Sequence, residues 1–259
     1  MVFRKKSTNA KRPIRKKVYR KKPIVSKAVK SYVKRTISAN IENKVHVDYA
    51  VNQSITTASG GSAITHRQLL PSLIQGVSSG QRIGNNIKVK SAVIRGSVNL
   101  LAYNITTNPV IIPAYVMVWV LRSKLKNQGF GASNAPHDLF DAGNSTVGPQ
   151  GNLLDTMFPI NSQSWICCYK RKIKLGATTN VSPVNGFADM SSYSVPFTIS
   201  YGKHIKTLKY DDSTTGGQSI PVNTNLNIVF TCVSASGDNS SQYQMAEYHM
   251  TNTIIYEDA

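Results

Sequence analysis

Residues 226–234, LNIVFTCVS, put Leu226, Ile228, Phe230 and Cys232 on one side of an extended chain, because successive side chains of a strand point to opposite faces. The same period of two recurs through the rest of the chain after residue 44, and it decides the fold class. In VHVDYAV (45–51), Val45, Val47, Tyr49 and Val51 alternate with His46 and Asp48, which predicts a half-buried strand with its apolar side on the core. NIKVKSAVIRGSVNLLAY (86–103) sets Ile87, Val89 and Val93 against Lys88 and Lys90, and its length predicts a bulge near Gly96. AYVMVWVLR (114–122) is apolar on both faces. WICCYKRKIKL (165–175), VPFTISYGKHIKTLKY (195–210) and YQMAEYHMTNTIIYE (243–257) complete the set, the last grouping Ala246, Tyr248, Met250, Ile254 and Tyr256.

Those are seven strands, and a short eighth is expected near Ser219–Val222, with loops that lengthen between residues 123 and 163. Only ITHRQLLPSLIQ, through Ile64, Leu69, Leu70, Leu73 and Ile74, has helical spacing, and Pro71 limits it to a turn or two. Strands do not alternate with helices, so a parallel doubly wound sheet is excluded as the leading architecture. The expectation is all-β: an eight-stranded antiparallel jelly-roll sandwich with long loops.

The charge is distributed unevenly. Of 31 Lys and Arg residues, 15 precede residue 36, whereas the first acid is Glu42; residues 36–259 carry 16 bases against 12 acids. The predicted organisation is a basic arm over 1–40 and a folded domain over 41–259. The arm holds Pro13 and Pro23 and little apolar content, so it is expected to be disordered alone; a short helix from Val29 to Ile41 is a weaker expectation. Its bases, Arg4, Lys5, Lys6, Lys11, Arg12, Arg15, Lys16, Lys17, Arg20, Lys21, Lys22, Lys27, Lys30, Lys34 and Arg35, are interleaved with Tyr19 and Tyr32. An extended cationic segment releases counterions from a phosphate backbone, and tyrosines stack on unpaired bases. The arm therefore predicts a single-stranded nucleic acid partner read without sequence preference, and also fits a nuclear import signal. In the body, Lys170, Lys172 and Lys174 alternate with Tyr169, Arg171 and Ile173 and form a possible secondary basic face or a solvated one.

Other chemistry lacks support. Five scattered histidines show no metal-ligand spacing, and Cys167, Cys168 and Cys232 match no zinc pattern and are expected to be buried thiols. The acids close in sequence, Asp138 with Asp141 and Asp211 with Asp212, sit in polar loops. No phosphate-binding glycine loop or nucleophile elbow occurs. The reading is non-enzymatic, without cofactor or metal. No secretory segment or membrane span is predicted, so no membrane insertion is expected and a reducing compartment is.

The stretch GQRIGNNIKVK (80–90) resembles the segment that opens the second strand in capsid proteins of circular, Rep-encoding single-stranded DNA viruses, the circovirus and geminivirus neighbourhood. The resemblance implies a closed icosahedral shell, of sixty copies, with arms directed inward onto packaged DNA. It also implies a virion protein that passes through the host nucleus and its import factors. Rivals are a jelly-roll capsid protein of a small RNA or satellite virus, a cellular nucleic-acid-binding β-domain with a basic tail, and, third, an enzyme with a targeting arm.

Overall fold

A computed structural model of the chain describes residues 25–40, 43–56, 65–76, 81–101, 114–124, 138–176, 194–211, 220–234 and 244–258. The chain divides into two units, Met1–Ile41 and Glu42–Ala259. In the first, Lys27–Asn40 forms helix α1. The Ser26 hydroxyl accepts from the Val29 N–H at 3.2 Å, an N-cap that satisfies an otherwise unpaired donor. The short helix expected from Val29 to Ile41 is thus present and begins two residues earlier; residues 1–24 lie outside the described residues.

In the second unit the strands are β1 Asn43–Thr56, β2 Thr65–Gln68, β3 Asn86–Leu100, β4 Ala114–Ser123, β5 Phe140–Asp141, β6 Thr146–Val147, β7 Trp165–Leu175, β8 Ser194–Ser200, β9 Thr207–Lys209, β10 Asn227–Ser234 and β11 Gln244–Asp258. Eight of them make two sheets in the orders β1-β11-β3-β8 and β2-β10-β4-β7, with β9 also on β3. Every pairing between these strands is antiparallel. Taken in chain order, the first of the eight pairs with the eighth, the second with the seventh, the third with the sixth and the fourth with the fifth. That is one long hairpin rolled into a sandwich, a jelly roll.

The alternation read over β10 and β11 holds. Leu226, Ile228, Phe230 and Cys232 meet Ala246, Tyr248, Met250, Ile254 and Tyr256 in the core between the sheets, where Phe230 stacks on Tyr248 with ring centroids 4.2 Å apart. β4 is buried on both sides. Val116, Val118 and Val120 face that core, whereas Met117, Trp119 and Leu121 pack with Leu139 and Phe140 of the long β4–β7 connection.

Five local expectations are corrected. Residues 65–68 are strand, not helix: their backbone pairs with Phe230 through Asn227, and Leu69, Leu70 and Leu73 still reach the core just after it. β2 is therefore the eighth sandwich strand, and the described part of 219–222 is irregular, with Val222 N–H donating to the Lys209 carbonyl. Residues 195–210 break at a 3-10 turn, Gly202–His204. There a Cβ on Gly202 would lie 3.0 Å from the Ala92 nitrogen. The irregularity in β3 sits opposite the Ile255/Tyr256 step, where Val89 and Ser91 are paired and Lys90 is skipped. It turns Val93 away from the Ile87 side. Gly96 instead lies in regular ladder between Met250 and Phe197, and a Cβ there would run into the His249 carbonyl.

The fifth correction is the largest. β1 is built with its polar side inward: Lys44 and Ala50 are buried, His46 and Asp48 are partly buried, and Val45, Val47, Tyr49 and Val51 are 52–68% exposed. Specific partners hold the inward charges. Lys44 Nζ lies 2.7 Å from Asp258 Oδ2 and donates to the Gln81 carbonyl, while Arg67 holds Asp48 through two parallel bonds of 2.9 and 2.6 Å. Paired charges satisfy the edge of the sandwich as well as an apolar side would.

Candidate nucleic-acid interface

The arm bases from Arg4 to Lys22, and Tyr19 with them, lie outside the described residues. Lys27, Lys30, Lys34 and Arg35 belong to α1. At a spacing of three, Lys27 and Lys30 share one side of the helix. Val29, Tyr32 and Val33 recur on the opposite side, and all three are exposed. One side of α1 is thus suited to phosphate, and the other offers an aromatic ring to stack on.

Lys170, Lys172 and Lys174 are all exposed on β7, the edge strand of the second sheet. Lys172 Nζ sits 4.0 Å above the Tyr115 ring and 3.5 Å from Thr156 Oγ1. Lysines on an edge strand also deter pairing with a foreign strand.

A denser basic site was not legible in the sequence. A cavity of about 770 Å³ opens where ends of the two sheets meet, lined by Arg122 and Lys124 at the end of β4, Lys203, His204 and Lys206 from the turn after β8, and Asn223 and Thr224 before β10. Backbone pairing fixes each segment. Lys124 N–H donates to Ser164, Val89 N–H donates to the Lys206 carbonyl, and Ser123 N–H donates to Asn225 Oδ1 at 2.8 Å. About eighty residues separate the two pairs of cations, so no spacing pattern could have joined them; only an excess of bases over nearby acids hinted at them.

The motif arginine Arg82 is not an interface residue. Its guanidinium is buried, donates to the carbonyls of Leu73 and Gly84 and to Asn85 Oδ1 at 2.9–3.1 Å, and lies 4.6 Å over the Tyr210 ring. It fixes the entry into β3.

The thiols divide. Cys232 is buried, and burial pushes its pKa up to about 12. Cys167 is exposed and Cys168 intermediate, against expectation; burial still raises both pKa values. All three are free.

No protein-family model matches the chain, and no curated protein sequence matches it. Among solved structures, a chain of Desmodium yellow mottle tymovirus is similar at 10% identity and TM-score 0.32, over 100% of this chain and 94% of that one. A cryo-EM structure of Mud crab tombus-like virus is similar at 10% identity and TM-score 0.34, over 87% of this chain and 97% of that one. Infectious bursal disease virus, Gx strain, gives 9% identity and TM-score 0.26 over 83% and 36%. Likeness at this level says nothing of what the chain does. The strand order does define its fold.

Proposed function

We propose that this chain is a structural capsid subunit: the jelly roll forms a closed shell, and the basic arm holds packaged single-stranded nucleic acid. The observation that carries the reading is the outward apolar side of β1. Val45, Val47, Tyr49 and Val51 stand 52–68% exposed on an edge strand whose polar side is turned in. Partly exposed Val93 and Ile255 extend that side across β3 and β11. A contiguous apolar strip on a soluble sandwich fits contact with another copy of the same chain. The 15 acid-free bases of the arm supply the second half of the reading, since they neutralise phosphates of any sequence.

DNA as cargo rests on the resemblance of residues 80–90 alone, because phosphate contacts do not discriminate DNA from RNA. Sixty copies, the number the resemblance implies, would bring roughly 900 positive charges inside, matching on the order of 900 nucleotides. The test is electron microscopy of the purified full chain, followed by nuclease digestion of what it protects. Uniform spherical particles holding DNase-sensitive nucleic acid are expected. RNase-sensitive cargo would replace DNA with RNA, and a monodisperse monomer protecting nothing would sink the capsid reading.

A further inference from the structure

We propose that the cavity bounded by Arg122, Lys124, Lys203 and Lys206 is a second nucleic-acid site in the folded body, binding phosphodiester groups of the packaged strand independently of the arm. It deepens the nucleic-acid part of the reading above and rests on it. Among the described residues, none of these four cations is within ion-pair distance of a carboxylate. Four cations held together by paired backbone repel one another unless an anion joins them.

Two further atoms of the lining need a partner. His204 Nε2 and Thr224 Oγ1 are buried without a hydrogen bond among the described residues. A buried polar atom left unpaired is costly, and few are tolerated. Burial, with Lys203 and Arg122 nearby, lowers the His204 pKa, so its ring is neutral and can present an N–H. A threonine hydroxyl and an imidazole N–H are both donors, and phosphate oxygens are acceptors. A water could satisfy either atom, but it would leave the four charges uncompensated.

Size argues for a polymer rather than a bare ion. At about 770 Å³ the open cleft is larger than a bare ion needs, and its cations come from both sheets, so successive phosphates can be met by different segments. Among the described residues the lining contains no carboxylate to act as base or to hold a metal, which fits binding without turnover.

The test uses the full chain. Binding of a fluorescent 20-nucleotide poly(dT) is followed by anisotropy as a function of KCl for the wild type, for Arg122→Gln/Lys124→Gln/Lys203→Gln/Lys206→Gln, and for a chain with all 15 arm bases, from Arg4 to Arg35, changed to Gln. The cavity variant is expected to lose about 2–3 units of the log–log salt slope, near 0.7 per phosphate contact. The arm variant should retain binding that the cavity changes then abolish. An unchanged slope in the cavity variant overturns the proposal while leaving the arm's role intact; an arm variant that binds like wild type removes the arm's role while leaving the cavity's. If the cavity changes weaken binding of a heparin fragment but not of poly(dT), the site belongs to a sulfated polysaccharide and the proposal fails. Inorganic phosphate that displaces poly(dT) at constant ionic strength would reassign it to a small anion. Acetylation footprinting of the wild type guards against misfolded variants: poly(dT) should protect Lys124, Lys203 and Lys206, and equal labelling with and without it overturns the assignment.

Discussion

Arg82 and Asp155 are buried charged residues with opposite consequences. Arg82 supplies a fork of donors to the carbonyls of Leu73 and Gly84 ahead of β3. Arg82→Ala should cost about 2–4 kcal/mol through the loss of those buried bonds, and Arg82→Lys should recover only part, because an ammonium cannot reproduce the planar fork. A lower urea midpoint at unchanged m-value checks this. Asp155 Oδ2 accepts from the N–H groups of Gln150 and Gly151 at 2.8 and 2.7 Å, while its Oδ1 has no hydrogen bond among the described residues. Burial outweighs those bonds and raises its pKa to about 6. The folded chain therefore holds this proton more tightly than the unfolded chain does. The resulting stabilisation is full below about pH 4 and is lost as pH rises through about 6, on the order of 1–3 kcal/mol. Asp155→Asn keeps one oxygen for both N–H groups and puts an amide nitrogen where Oδ1 stands. It should hold or raise the melting temperature at pH 8 and flatten its dependence between pH 4 and 6. A variant that keeps the wild-type pH profile would show that Asp155 is not its source.

Among the elements, β1 departs furthest from what its pattern predicts. Both of its sides can be buried in principle, and the side turned inward is the one whose charges find Asp258 and Arg67. Because Val47 and Tyr49 stand in solvent in the single subunit, Val47→Asp/Tyr49→Asp should change its stability by no more than about 0.5 kcal/mol for each exposed site. The same double variant should stop particle formation, since two carboxylates would be buried without partners at a contact between copies. Sedimentation of the variant gives the answer: intact particles at wild-type yield would free this strip from any part in assembly. In α1, Lys27 and Lys30 lie across the helix from Val29, Tyr32 and Val33, a division that the interval of three and four residues alone produces.

For the whole molecule, the arm and the body are expected to be separable. A chain starting near residue 42 should keep the sandwich, whose core draws on residues from Ala50 onward, and lose on the order of 10 units of salt slope if all 15 arm cations engage phosphate. An unchanged slope would end the arm's role. Binding by the full chain should be nearly indifferent to sequence. In a competition at fixed ionic strength between equal-length single strands, a preference of a hundredfold, about 2.7 kcal/mol, would demand base contacts and favour a cellular regulator over a container.

The sequence by itself determined the class of fold and the asymmetry of charge. Period-two alternation in β10 and β11 names the core-facing residues correctly, and β4, apolar throughout, is covered on both sides. Such patterns are local, and burial enforces them wherever a strand has neighbours on both edges. What the alternation leaves open is which side of an edge strand goes in. In β1 that was settled by charges hundreds of residues apart in the chain, Lys44 with Asp258, and by Arg67 reaching Asp48. Pairing with β10 likewise made a strand of a stretch with helical spacing. The basic cavity, too, exists only once the roll brings Arg122 beside Lys203, because ion clusters assembled from distant segments leave no periodic trace.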